Sequence, residues 1–180
     1  MRTAFFLLAA AALAATHADA AGQRAAGAAT TSPGPQGTSG DQYANLTGDD
    51  FHMAASTAAY TTFGNSALAC STSGGVRIAS ATLHVPDGAS LDWLDVFGND
   101  GAASDDIKVS LYKTCGVIPT NSTLAEVVSS GATGDFFKFA SIAGHRVDNE
   151  LCTYSVNLLL GNSTCNTSLK LYKIRVLYTQ

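Results

Sequence analysis

The stretch of sequence that decides the fold is NELCTYSVNLLLGNSTCNTSLKLYKIRVLYTQ, residues 149–180. Both halves alternate between apolar and polar residues with a period of two. The apolar positions of the first half are Cys152, Tyr154, Val156, Leu158 and Leu160. Those of the second half are Tyr172, Ile174, Val176 and Tyr178, with Lys173, Arg175 and Thr179 on the opposite face. Such alternation predicts two half-buried β-strands.

A short polar segment, residues 161–168, joins these two strands. The spacing predicts that they pair as a hairpin. A lone hairpin is not stable in water. We therefore expect the preceding chain to supply further strands that cover the apolar face.

Further strands are predicted at residues 76–85, 90–98, 107–115, 124–129 and 136–142, and an edge strand or loop within residues 49–65. Two of these runs change phase internally, near Ala79 or Ser80 and between Trp93 and Leu94, which predicts a β-bulge in each. No stretch combines helical periodicity with helix caps. The fold class predicted is all-β: an antiparallel β-sandwich, Greek-key or jelly-roll-like, with about seven to eight strands stapled by disulfides.

The ends of the sequence divide the chain into three parts. Residues 1–20, MRTAFFLLAAAALAATHADA, have the charged start, short apolar run and small-residue cleavage site of a signal peptide. Residues 21–48 are rich in Ala, Gly, Ser, Thr, Gln and Pro, which predicts a flexible arm. Residues 49–180 form the β-sandwich domain. No later stretch is long and apolar enough to span a membrane, so we expect secretion, either extracellular or periplasmic.

The four cysteines, Cys70, Cys115, Cys152 and Cys165, predict two disulfides in a secreted chain. A zinc site is disfavoured, because no two of them have the short spacing of a structural site. In a regular hairpin Cys152 lies too far from the turn to reach Cys165. The pairing predicted is Cys70–Cys152 with Cys115–Cys165, because the first two precede strands and the last two follow them.

Composition excludes several functions. The net charge of −4 with scattered basic residues gives no footprint for nucleic acid. No Gly-x-Ser-x-Gly motif is present, the cysteines are expected to be oxidised, and the sequence contains only two glutamates. We therefore predict that the protein is not an enzyme; a hydrolase using loop aspartates and histidine is the less favoured alternative.

Two groups of residues are candidates for a binding site. Trp93, flanked by Asp92 and Asp95, has the aromatic face and polar neighbours that stack on a sugar ring. Its leucine neighbours favour instead a tryptophan in the core. The loop at residues 98–106 is rich in oxygen ligands, and Asn99, Asp100, Asp105 and Asp106 are candidates for calcium. A solvated connecting loop is the competing interpretation, and no other cofactor is expected.

The pattern of signal peptide, polar arm, strands and a closing Leu-x-Leu-Tyr-x-x-x-Val-x-Tyr run at residues 169–178 resembles secreted bacterial β-sandwich proteins. Carbohydrate-binding modules and adhesin domains share this architecture. The favoured hypothesis is a secreted, non-catalytic module that binds an extracellular polymer, carbohydrate by preference, or a cell-surface component. The alternative is a structural, self-assembling protein that forms oligomers through its N-terminal arm or edge strands.

Overall fold

The computed structural model describes residues 40–56, 58–63, 67–72 and 74–180. These residues form eleven β-strands and one turn of 3-10 helix at Gly48–Asp50. The strands are β1 (Asp41–Thr47), β2 (His52–Met53), β3 (Tyr60–Phe63), β4 (Ala67–Cys70), β5 (Ile78–Thr82), β6 (Ser90–Asp100), β7 (Ile107–Cys115), β8 (Thr120–Val128), β9 (Gly134–Arg146), β10 (Cys152–Leu160) and β11 (Leu169–Thr179). Among the described residues no helix has the length and hydrophobicity to cross a membrane. The predicted signal peptide lies outside the described residues.

The strands form two antiparallel sheets. The six-stranded sheet has the order β3-β4-β11-β6-β9, and β1 pairs with β11 beside β4. The five-stranded sheet has the order β2-β5-β10-β7-β8. From β4 to β11 most connections cross from one sheet to the other, as in a jelly roll. The predicted antiparallel β-sandwich is confirmed.

The core lies between the sheets, and the alternating strands supply most of it. Tyr154, Val156, Leu158 and Leu160 of β10 are buried, and so are Ile174 and Val176 of β11. All of them belong to one continuous apolar cluster. β10 and β11 occupy central positions in their sheets, so the C-terminal stretch contributes to both halves of the core.

The predicted hairpin between β10 and β11 is wrong. The two strands lie in different sheets, and each pairs with other strands on both of its edges. Residues 161–168 cross between the sheets, which in a sandwich lie about 10 Å apart. Either arrangement buries the apolar face of each strand, so the alternation does not distinguish them. Residues 161–168 are long enough to cross between the sheets, and the Cys70–Cys165 bond holds this segment beside β4.

The predicted disulfide pairing is also wrong. Cys115 and Cys152 are directly opposite each other on β7 and β10, with Cα atoms 4.1 Å apart, and they form one bond. Cys70 at the end of β4 bonds to Cys165 in the crossing segment, with Cα atoms 6.0 Å apart. The prediction that Cys152 does not bond to Cys165 is confirmed. The error came from the hairpin, because it assigned the wrong neighbours to β10 and β11.

The bulge predicted near Ala79 or Ser80 is absent. β5 pairs with β10 without a register shift. Ala79 and Ala81 point into the core, whereas Ile78 is 40% exposed on the outer face. The change of phase in the sequence arose because Ile78 is an apolar residue on a solvent-facing position.

The last part of the predicted flexible arm, residues 41–48, is ordered in the fold, and residues 21–39 lie outside the described residues. β1 begins at Asp41 and pairs with β11 along its full length, so this part of the predicted arm belongs to the six-stranded sheet. β11 is therefore paired on both edges, with β6 on one side and with β1 and β4 on the other. This final strand therefore has no free edge at which it could pair with another subunit.

A buried tyrosine hydroxyl joins the end of β9 to the turn that follows it. The Tyr154 hydroxyl accepts a hydrogen bond from the Asp148 backbone N–H at 3.0 Å and lies 3.1 Å from His145 Nε2. Burial lowers the pKa of His145, and the nearby Lys113 charge lowers it further. The folded protein therefore resists protonation of this imidazole.

We predict that His145 makes the protein less stable in mild acid. Above the ordinary histidine pKa, about 6.5, both states are neutral at this position and it has no effect. As the pH falls below that value the unfolded chain takes up the proton first, so the free energy of unfolding falls. In urea unfolding measured between pH 5 and pH 8, the free energy of unfolding should decrease less for His145→Gln than for the wild type as the pH falls. Parallel pH profiles for the two proteins would contradict this prediction.

We also predict that the two disulfides contribute unequally. Cys70–Cys165 closes a loop with a sequence separation of 95, and Cys115–Cys152 closes one of 37. The loss of chain entropy in the unfolded state then predicts a stabilisation of about 5 kcal/mol from the first bond and about 4 kcal/mol from the second. Guanidinium unfolding should find the Cys70→Ser/Cys165→Ser variant less stable than Cys115→Ser/Cys152→Ser. The reverse order would contradict the chain-entropy argument.

Candidate functional site

A β-bulge at Asp92 determines which side chains β6 presents to solvent. Leu91 pairs with Tyr178 and Trp93 with Leu177, so Asp92 is an extra residue in the β6 register. Leu91 and Leu94 are both fully buried, which requires an added residue between them. Trp93 consequently points away from the core and is partly exposed. The bulge predicted in this run is confirmed, and the interpretation of Trp93 as a core residue is wrong.

A second bulge, at Tyr172, changes the phase of β11. Lys170 pairs with Asn99 and Lys173 with Phe97, with a register shift between Leu171 and Lys173. Without the extra residue, two positions three apart would point to opposite faces of the sheet. With it, Lys170 and Lys173 share the outer face. Tyr172, which the sequence placed on the apolar face, is an exposed residue.

Four aromatic rings form a continuous group on the outer face of the six-stranded sheet. Trp93 and Phe97 come from β6, and Phe137 and Phe139 come from the adjacent β9. The ring centroids of Trp93 and Phe139 are 5.3 Å apart in an edge-to-face arrangement. Those of the stacked Phe97 and Phe137 rings are 4.6 Å apart, and those of Phe137 and Phe139 are 5.9 Å apart. We call these four residues the aromatic strip; each of them is partly exposed.

A buried ion pair lies beside the aromatic strip. Arg175 Nη2 donates to Asp95 Oδ2 at 2.8 Å, and Asp95 is only 1% exposed. The guanidinium lies 4.8 Å from the ring centres of both Tyr43 and Phe97. Its Nε is buried without a hydrogen-bond partner among the described residues. The pair connects β1, β11 and β6 across the sheet.

Polar groups border the other end of the strip. Asp135 accepts hydrogen bonds from Asn99 Nδ2 at 2.7 Å and from the Tyr172 hydroxyl at 2.8 Å. The Asn99 amide, and after it the Tyr172 hydroxyl, lower the pKa of Asp135 below its ordinary value. The same hydrogen bond raises the pKa of Tyr172. Asp135 is therefore a carboxylate at neutral pH, and Tyr172 stays protonated.

The structure brings together part of the predicted sugar site. Trp93 and Asp95 share the outer face, but the Asp95 carboxylate is buried and forms an ion pair with Arg175. Asp92 lies in the bulge, where the Ser90 hydroxyl is 3.4 Å from it. Sequence reasoning missed Phe137, Phe139 and the basic residues of β11. The alternation of Phe137 and Phe139 was the available signal, because it predicts rings on one face of a strand.

The candidate calcium ligands are not brought together. Asn99 points to the outer face. The next residue, Asp100, is 2% exposed and accepts hydrogen bonds from the Ser129 hydroxyl and from the Ala102 backbone N–H. Side chains on opposite faces of a strand cannot bind one ion. The described residues contain no group of three or more His, Cys, Asp or Glu side chains that could hold a metal ion. Calcium binding stays a prediction that these positions do not support.

The same acidic loop has a structural role. Asp105 accepts hydrogen bonds from the Asn162 backbone N–H at 2.9 Å and from Asn166 Nδ2 at 2.7 Å. The first of these contacts, and then the second, lower the pKa of Asp105. The Asp106 carbonyl accepts from the Gly161 N–H at 3.0 Å. Asp105 and Asp106 thus hold the segment that crosses from β10 to β11.

A separate cleft of about 500 Å³ opens where β1 and the 3-10 turn meet β2 and β5. Its lining includes His52, His84 and Asp50. His84 is exposed. The cleft has polar and aliphatic groups but no Phe, Tyr or Trp ring in its lining, so it lacks the aromatic surface that the strip provides.

No family model matches the sequence, and no curated protein matches it. Solved structures with a similar fold include the xylan-binding module CBM15, at 12% identity, 78% coverage of this chain, 97% coverage of the module and a TM-score of 0.46. The CBM22-1–GH10 modules of Clostridium thermocellum xylanase 10B, complexed with xylohexaose, give 12% identity, 77% and 26% coverage and a TM-score of 0.42. A family GH115 4-O-methyl-α-glucuronidase gives 9% identity, 76% and 17% coverage and a TM-score of 0.35. Similarities this low carry no argument about the ligand.

We predict that Arg175→Met destabilises the protein by about 3–5 kcal/mol, because it leaves the buried Asp95 carboxylate without a partner. Adding Asp95→Leu should recover most of the loss, because no buried charge then remains. Lys173→Met on the same strand is the control and should cost less than about 1 kcal/mol. Guanidinium unfolding of the four proteins measures these differences. A double variant no more stable than Arg175→Met would contradict the assigned cause.

Proposed function

We propose that this protein is a secreted, non-catalytic module that binds an extracellular polysaccharide through the outer face of the six-stranded sheet. The observation that carries the proposal is the aromatic strip, whose four rings share one solvent-facing side of two paired strands. Apolar patches bordered by polar residues mark binding sites in soluble proteins. A rigid sheet holds the rings in place, which reduces the entropy lost on binding.

The chemistry of the face suits a sugar polymer. A pyranose ring presents C–H groups on its faces and hydroxyls around its rim, so it needs both an aromatic surface and hydrogen-bonding groups. Trp93, Phe137 and Phe139 supply the first, and Asn99 and Asp135 at the end of the strip supply the second. Four residue steps along β6 separate Trp93 from Phe97, about 13 Å of strand. That length exceeds one sugar ring, which favours a polymer over a monosaccharide.

The carboxylates on this face favour binding over hydrolysis. Glycosidases require one carboxyl group whose pKa is raised so that it can donate a proton. Here the pKa of Asp135 is lowered by its hydrogen bonds, and Asp95 is covered by Arg175. Asp135 is therefore not suited to act as a general acid at neutral pH, and Asp95 is not accessible to a ligand.

Secretion is supported by the two disulfides, because such bonds persist in oxidising compartments. The self-assembly alternative is less well supported. β1, which lies in the predicted arm, pairs within its own chain, and β11 has no free edge.

We predict that Trp93→Ala weakens polysaccharide binding about tenfold or more, because it removes the largest ring of the strip. A plate array of neutral and acidic plant, algal and bacterial polysaccharides, probed with the purified oxidised protein, first identifies binders. Titration calorimetry against each binder then compares the variant with the wild type. Tyr112→Ala is the matched control, since Tyr112 is a partly exposed aromatic residue on β7 of the other sheet.

The proposal requires Tyr112→Ala to bind like the wild type. Equal weakening by both aromatic substitutions would place the site elsewhere, and circular dichroism would show whether either variant had lost its fold. Failure of every polysaccharide on the array to bind would contradict the proposed function.

A further inference from the structure

We propose that the ligand of this face is an acidic polysaccharide, one that carries carboxylate groups along its chain. This inference rests on the proposed function and specifies its substrate class. It comes from the distribution of charge on the outer face, which differs from that of the whole chain. The chain as a whole has a net charge of −4.

The basic residues of β11 lie together on the outer face. They are Lys170, Lys173 and Arg175, and β11 contains no acidic residue. The bulge at Tyr172 brings Lys170 onto the same side as the other two. We call these three residues the cationic row.

Two of the three cations have no anionic partner. Within the described part of the chain, salt bridges join Arg175 to Asp95 and Lys108 to Glu126, and neither involves Lys170 or Lys173. Lys173 Nζ lies 4.9 Å from the centre of the Phe97 ring, and Lys170 Nζ lies 5.4 Å from that of Phe63. Aromatic faces attract a cation without neutralising its charge.

The carboxylates near the row do not cancel this charge. Asp95 is neutralised by Arg175. Asp135 is held by Asn99 and Tyr172, and it interacts with Lys170 only through the longer-range field. Two ammonium groups thus lie near one carboxylate that is already bound by hydrogen-bond donors, so the end of the face around Lys170 and Lys173 keeps a positive charge, whereas Asp92 and Asp41 lie toward its Trp93 end.

The cationic row lies directly beside the aromatic strip. β11 and β6 are paired neighbours, Lys173 is opposite Phe97, and Lys173 Nζ lies over that ring. Adjacent strands are about 4.8 Å apart. A polysaccharide stacked along Trp93, Phe139 and Phe137 would therefore bring its ring substituents within reach of the lysines. Carboxylate is the substituent that two unpaired ammonium groups favour.

The test compares each polysaccharide with its own neutral form. The probes are polygalacturonate, alginate, hyaluronate and glucuronoxylan, each measured intact and after reduction of its carboxyl groups to alcohols. Titration calorimetry at low and at moderate salt would use the wild type, the Lys170→Gln/Lys173→Gln variant, Trp93→Ala and the control Lys108→Gln. Lys108 lies on β7 in the opposite sheet and forms the other described salt bridge.

We expect at least one acidic polymer to bind about tenfold more tightly than its reduced form at low salt, since two exposed charge pairs each contribute about threefold. Moderate salt should reduce that preference. The affinities of the double lysine variant for the acidic and the reduced form should agree within about twofold, while Lys108→Gln should keep the wild-type preference for the acidic form.

The two proposals fail in different ways. Equal or tighter binding of the reduced polymers, still sensitive to Trp93→Ala, would overturn the acidic ligand and leave polysaccharide binding intact. A preference for the acidic form that survives in the double lysine variant would also overturn the role of the cationic row. Absence of binding to every acidic polymer would overturn the acidic ligand, and absence of binding to every neutral polysaccharide of the array as well would overturn both proposals.

Discussion

One extra residue in each of two neighbouring strands determines what the six-stranded sheet presents to solvent. Side chains alternate strictly along a strand, so a single inserted residue exchanges the two faces beyond it. Asp92 in β6 allows Leu91 and Leu94 to remain in the core while Trp93 turns outward. Tyr172 in β11 places Lys170 and Lys173 on the same side. The aromatic strip and the cationic row both depend on these bulges.

The ion pair of Arg175 and Asp95 joins the cationic row on β11 to β6, the strand that carries Trp93 and Phe97. Removing two charges from water is unfavourable, and a buried pair seldom adds stability over apolar residues of the same size. Its geometry points instead to positioning. The guanidinium contacts rings from β1 and β6 while its own strand runs between them. A pair held in this way fixes the Phe97 ring, on which Phe137 stacks.

The sequence predicts the individual strands better than their neighbours. Period-two alternation correctly indicated β7 and β10, and the phase change between Trp93 and Leu94 indicated the bulge in β6. The same alternation suits a hairpin and two strands that face each other across a core, so it could not assign β10 and β11 to different sheets. The disulfide pairing depends on that assignment, since Cys115 meets Cys152 only because β7 pairs with β10.

The sequence did not predict which side chains lie on the outer face, for a related reason. Leu169 and Leu171 lie in the opposite phase to Ile174 and Val176, which marks the bulge, but Tyr172 is in phase with Ile174 and Val176 and therefore resembles a core position of the second run. Phe136 and Phe137 are adjacent, and only the pairing of β9 with β6 shows that Phe136 packs on the core and Phe137 does not. The pairing between distant strands decides which of two adjacent apolar side chains faces the core, and the local sequence pattern carries no information about that pairing.

The most direct test of the account is to locate the bound ligand by NMR. Amide and aromatic resonances of the isotope-labelled protein would be followed during titration with oligosaccharides cut from a polymer that it binds. The account predicts that shifts concentrate on the outward residues of β6, β9 and β11, with Trp93, Phe139 and Lys173 among them. Shifts confined to the cleft at His52 and His84, or to the outer face of the five-stranded sheet, would contradict it.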